Sequence, residues 1–186
     1  MGRITINETI DAPVEAVFAY VDDYKNTTKY MRDLTKWKPI GAKTHGKGAI
    51  FEVAMKAGPK SLDSTIEMNQ WTENKVIAWK STDGFKQTGK WAFATKAGKT
   101  AVTFDMEYDL GGGFAGKMLG KVAEPIVRMN CEKSVQTLKQ QAEKLATKPA
   151  VKAAAKPASA KAGTPAKATA KKADPAKSKP AGAAKD

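Results

Sequence analysis

The chain contains one cysteine and one histidine in 186 residues, and each scarcity closes off a class of chemistry. With Cys131 alone, no intrachain disulfide can form, which fits a reducing compartment. One histidine and one cysteine cannot build a usual zinc site, so no metal is expected. No run approaches the roughly 18 apolar residues that a membrane-spanning helix needs. The opening MGRITINETIDAP has neither an apolar core segment nor a cleavage pattern, so a soluble cytoplasmic protein is expected. A G-x-S-x-G elbow and a G-x-x-x-x-G-K-S/T phosphate loop are also missing, and no cofactor is expected.

The chemistry of the chain breaks near Ala146. From Thr147 to Asp186 there is no aromatic residue, no Leu, Ile or Met, and one Val. Such a segment cannot bury enough apolar area to offset the entropy of ordering it, so a disordered tail rich in Lys, Ala and Pro is expected. Its ten lysines against two aspartates account for +8 of the formal +13. The first 146 residues are therefore only mildly basic and form one domain, a size that can enclose a ligand cavity.

Within that domain the hydrophobic period changes in order. Ile4, Ile6 and Ile10 alternate as a first strand. Asp11-Ala12-Pro13 reads as a helix start, with Val14, Val17, Phe18 and Val21 at helical spacing. Tyr24 to Arg32 is a second short helix or turn whose tyrosines can plug one end of the core. Strands follow at Trp37 to Lys43, around Phe51, Val53 and Met55, around Leu62, Ile66 and Met68, at Val76 to Lys80, along Phe85, Trp91 and Phe93, and along Phe104, Met106, Tyr108 and Leu110. Turns at Gly46-Lys47-Gly48, Gly58-Pro59, Asp83-Gly84 and Ala97-Gly98 imply a meander of antiparallel strands. After Gly111-Gly112-Gly113, a long helix runs from about Phe114 to Ala146. Met118, Val122, Ile126 and Met129 share one stripe, continued by Cys131, Val135, Leu138, Ala142 and Leu145. Pro125 inside it predicts a kink or short break near Ala123.

The opening ITINETIDAPVEAVFAYVDDYKNTTKYM and the closing AGKMLGKVAEPIVRMNCEKSVQTLKQQAEKL resemble the START-like (SRPBCC) superfamily, and within it the polyketide cyclase/dehydrase and lipid-transport group. The resemblance spans about Arg3 to Ala146. It implies an α+β helix-grip fold, a curved antiparallel sheet wrapped around the long C-terminal helix. It also implies an apolar cavity between the two. Alternation then nominates the walls: Phe51, Val53, Met55, Ile66, Met68, Trp91, Phe93, Phe104, Met106 and Tyr108 from the sheet, and Met118, Val122 and Met129 from the helix. A hydrophobic small molecule or lipid is the expected ligand.

No catalytic residue is assigned. His45 sits in a glycine-flanked turn without an orienting partner, and Cys131 falls on the apolar stripe. Arg128 lies off that stripe. Glu8 shares the Ile4-Ile6-Ile10 face and is expected at the rim of the sheet, because an unpaired buried carboxylate is costly. The tail resembles linker-histone tails; its lysines suit non-specific contact with DNA or an anionic membrane. It has no aromatic residue for stacking on bases and no arginine for reading them. Three readings stay open: binding or transport of a hydrophobic molecule, a cyclase/dehydrase-type enzyme, and an interaction protein docked through its tail.

Overall fold

A computed structural model describes residues 1–57, 60–109 and 113–147, with side chains for 1–56, 61–109 and 124–147. The expected turn at Gly58-Pro59, the end of the last strand at Leu110, the Gly111-Gly112 step, the side chains of Met118 and Val122, and the tail beyond Thr147 lie outside the described residues.

The element order matches the periods read from the sequence. Strand β1 (Gly2–Ile10) leads into helices α1 (Val14–Asp22) and α2 (Tyr24–Tyr30). Strands β2 (Leu34–Ile40), β3 (Ile50–Ala57), β4 (Lys60–Thr72), β5 (Val76–Gly84), β6 (Gln87–Lys96) and β7 (Lys99–Tyr108) follow, and α3 (Gly113–Ala146) closes the order. The seven strands form one antiparallel sheet in the order β1-β7-β6-β5-β4-β3-β2, a meander with β1 returned alongside β7. It is the curved sheet and C-terminal helix of the helix-grip fold.

Three local expectations shift. Helix α1 begins at Val14 with Pro13 as its cap residue, and no side chain caps it. Asp11 is instead drawn to Lys99 Nζ at 3.0 Å, and its amide N–H donates to Glu143 on α3 at 2.9 Å. Strand β2 starts earlier than Trp37 and stops at Ile40, before Gly41 takes a φ of 82°. Helix α3 continues through Pro125 without the break that a missing N–H there predicts.

The core lies between the inner face of the sheet and the helices. Val17 and Phe18 of α1, Tyr30 of α2, and Val135, Leu138 and Ala142 of α3 meet Ile4, Ile10, Trp91, Phe93, Val102 and Phe104. Polar bonds hold α3 between Asn130 and Lys139. Asn130 donates to Asp33, Ser134 Oγ accepts from the Arg32 amide at 2.7 Å, and Lys139 Nζ lies 3.0 Å from Glu8. Gln136 also donates to Glu8, which thus sits on an edge strand as expected and pins the helix there. Burial alone raises the Glu8 carboxyl, but the Thr9 amide, Lys139 and Gln136 together outweigh it and hold it below the usual range.

The inward stripe of α3 differs from the one read off the sequence. Ile126 and Met129 are 55% and 43% exposed, whereas Val127 packs against the core and Cys131, Ser134, Val135 and Leu138 are buried. At about 100° per residue, Met129 stands roughly 200° from Cys131, so the two cannot share a face. Met129 is therefore not a cavity wall.

Candidate functional site

The sheet residues nominated by alternation do face inward. Phe51, Val53, Ile66, Met68, Trp91, Phe93, Phe104, Met106 and Tyr108 are buried, and Met55 packs partly buried against them. Only some border open space. Phe51, Met68 and Trp91 line a cleft between α1, α2 and the β2–β3 loop, together with Val21, Tyr24, Tyr30, Met31, Ile77 and all four tryptophans of the chain. Trp37 meets Phe51 at 5.4 Å and Trp79 edge-on at 5.8 Å, while Trp91 lies 4.4 Å from Phe104. Tyr24 and Tyr30 close one end, as their position predicts.

Three of these tryptophans escaped the alternation argument. Trp71 was hidden by a bulge. Met68 pairs with Trp79, yet Gln70 pairs with Ala78 and Trp71 with Ile77, so the extra residue reverses the side-chain parity. Trp37 is half-buried on edge strand β2. Trp79 depends on Gly89, its partner on β6: a Cβ there would stand 2.1 Å from Trp79 Cζ2, so only glycine lets the indole lie flat on the neighbouring strand.

The mouth of the cleft is polar. Asp22 accepts the Trp71 indole N–H at 2.7 Å and stands 3.5 Å from His45 Nδ1, while the His45 ring meets Trp71 edge-on at 6.1 Å. His45 is exposed in its loop, as the sequence predicts, but it belongs to the rim of the cleft. Inside, burial pushes the Tyr30 hydroxyl well above its ordinary value. Burial likewise raises the Cys131 thiol to about 11, leaving it a packed, unreactive group against Met106. Arg128 is exposed.

The open room in the cleft is about 30 Å³. A water needs roughly 10–15 Å³ on this measure and a drug-sized ligand some 300–1,000 Å³, so the cleft as it stands has room for about one or two waters. A wider concavity of about 410 Å³ lies at the other end of the strands, bordered by Ser81, Gln87 and Tyr108 with Lys80, Asp83, Lys86 and Glu107. Among the described residues, no three acidic, His or Cys side chains gather in metal-binding range. No helix among them is long and apolar enough to cross a membrane.

A curved antiparallel sheet gripping a C-terminal helix, with an aromatic cleft at one end, defines the START-like class of helix-grip proteins. The family model for polyketide cyclase / dehydrase and lipid transport matches residues 1–143, and the chain belongs to that family. Among solved structures, a protein from Thermus thermophilus is similar at 19% identity and TM-score 0.69, over 78% of this chain and all of that one. The Zhui aromatase/cyclase from a Streptomyces species matches at 15% identity and TM-score 0.64, over 77% of this chain and 94% of its own. A START superfamily protein from Mycobacterium smegmatis matches at 14% and 0.61, over 77% and 98%. These likenesses show the shared fold. No curated protein sequence matches the chain.

Proposed function

We propose that residues 1–146 bind an apolar small molecule or lipid against the inner face of the sheet, entering by the cleft between α1, α2 and the β2–β3 loop, in the cytoplasm. The observation that carries this reading is the convergence of all four tryptophans on one cleft with a polar mouth. Aromatic walls with a few polar groups at the rim are what a site for an apolar ligand needs. Because the room there is about 30 Å³, a ligand of lipid size enters by displacing α2 or the β2–β3 loop. Among the described residues, the ionisable groups at the cleft are Asp22 and His45 at its mouth and tyrosines within, and they pair no nucleophile with a base. Binding and transport therefore fit better than turnover.

Native mass spectrometry of the full chain, followed by organic extraction, tests the reading. The expected result is an added mass that is lost on extraction. No added mass, together with unchanged tryptophan emission on titration with dodecanoate, overturns it.

The tail of residues 147–186 is proposed as a separate unit for non-specific attachment to polyanions. Its support is compositional: ten lysines spaced by Ala and Pro, with two aspartates. Deleting it is expected to leave the melting temperature unchanged and to abolish retention on DNA-cellulose at low salt. Equal retention by the shortened chain overturns the assignment.

A further inference from the structure

The β2–β3 loop, residues 41–49, is held differently at its base and at its tip. At the base, backbone bonds fix it to β4: the Gly48 N–H donates to the Met68 carbonyl at 2.7 Å, and the Met68 N–H to the Ala49 carbonyl at 2.9 Å. At the tip, Thr44, His45 and Gly46 border the cleft. There His45 reaches α1, its Nδ1 standing 3.5 Å from Asp22 Oδ2. The other oxygen of that carboxylate accepts the Trp71 indole N–H at 2.7 Å. One carboxylate thus joins helix, strand and loop at the mouth of the cleft.

The charges around this contact favour a cation. Asp22 is the last residue of α1 and Asp23 follows it, at the helix end where the free carbonyls already carry partial negative charge. No basic residue lies in that last turn. The Asp23 carboxylate is engaged by the Lys25 amide at 3.1 Å. The other groups near His45 are Trp71 of β4, edge-on at 6.1 Å, Tyr24 of α2 on the cleft wall, and Lys43 and Lys47 in its own loop, where Lys43 Nζ donates to the Lys47 carbonyl. At 3.5 Å the contact with Asp22 is too long for a strong hydrogen bond, so its strength turns on whether the imidazole is charged. The His45 side chain is 65% exposed and exchanges protons with water. It is the only histidine of the chain, and histidine is the side chain that changes charge between about pH 5 and pH 8.

We propose that His45 is a proton-operated clasp on the cleft. With a proton from water on each ring nitrogen, the imidazolium pairs with Asp22 and holds the tip of the β2–β3 loop against α1. When one proton returns to water, the pair loses its charge and the tip swings aside more readily. The cleft therefore admits an apolar ligand faster above neutral pH than below it. The inference rests on the reading of the cleft as the entry to a ligand site and adds the regulation of that entry.

Stopped-flow uptake of N-phenyl-1-naphthylamine by the full chain, at about pH 5.5 and about pH 8, tests it, since that apolar probe is uncharged at both. The parent is expected to take up the probe about threefold faster at the higher pH, the scale of one partly exposed ion pair. His45→Gln, uncharged throughout, is expected to show the fast rate at both. His45→Lys, charged throughout, is expected to show the slow rate at both. Asp22→Asn keeps an oxygen for the Trp71 indole and is expected to lose the pH dependence as His45→Gln does. Equal rates at the two pH values in the parent, or faster uptake at the lower one, overturn the clasp and leave the cleft reading standing. A pH ratio in His45→Gln or His45→Lys equal to that of the parent overturns it as well. No uptake at either pH overturns the cleft reading and the clasp together.

Discussion

Trp71 and Trp79 stand on adjacent, paired strands of one sheet and face the same side, yet their indole N–H groups meet different fates. Trp71, near the mouth of the cleft, donates to Asp22 at 2.7 Å. Trp79, pressed onto Gly89 in the middle of the sheet, finds no acceptor among the described residues. The rim has carboxylates because water is near enough to solvate them when they are not in use. The centre cannot hold a carboxylate cheaply, and the donor buried there goes without one. The cleft thus joins a packed aromatic interior to a polar rim.

That contrast has graded consequences. The largest loss is expected from Trp91→Ala at the aromatic end, where the ring packs 4.4 Å from Phe104 and 6.0 Å from Tyr30. Urea unfolding is expected to show a loss of about 3–5 kcal/mol, the usual cost of emptying a large aromatic site. A loss below about 1 kcal/mol means that the aromatic end is a loosely filled cavity rather than core.

Gly89→Ala acts directly beneath Trp79. The new methyl meets Trp79 and displaces it, for an expected cost of about 1–3 kcal/mol with a shift in tryptophan emission. An unchanged emission maximum places the indole elsewhere.

A smaller effect belongs to Glu8. Its carboxyl is held below its ordinary value, so it contributes stability that is present above the unfolded pKa and lost as pH falls through the folded one. With an unfolded value near about 4.3, melting temperatures between roughly pH 5 and pH 3 are expected to fall less steeply in Glu8→Gln than in the parent. Parallel curves show that Glu8 does not pin α3. The smallest effect is expected from Met129→Ser, within about 0.5 kcal/mol, because the side chain lies on the outer face of α3. A larger loss returns Met129 to the cavity wall.

Much of the molecule was legible in local patterns. Alternation along Val102, Phe104, Met106 and Tyr108 named one inner strand correctly, and the short turns implied the meander. The stripe of α3 was legible from Cys131 onward but misread before it, since the step from Met129 to Cys131 is two residues, roughly 200°, whereas Val127 lies one turn before Cys131. The mouth of the cleft was harder to see. His45 and Asp22 lie on different elements, and nothing near either residue in the chain announces the other.

The sequence by itself determined the order of elements, the inward set on the regular strands and the concentration of positive charge in residues 147–186. These follow from period and composition, which are local properties of a chain. Only the tertiary structure decided that Trp71 turns inward past a bulge, that Met129 turns outward, and that Trp79 finds no acceptor among the described residues. Each of these depends on what a distant strand places opposite the residue, and pairing at that distance leaves no mark on the residues nearby.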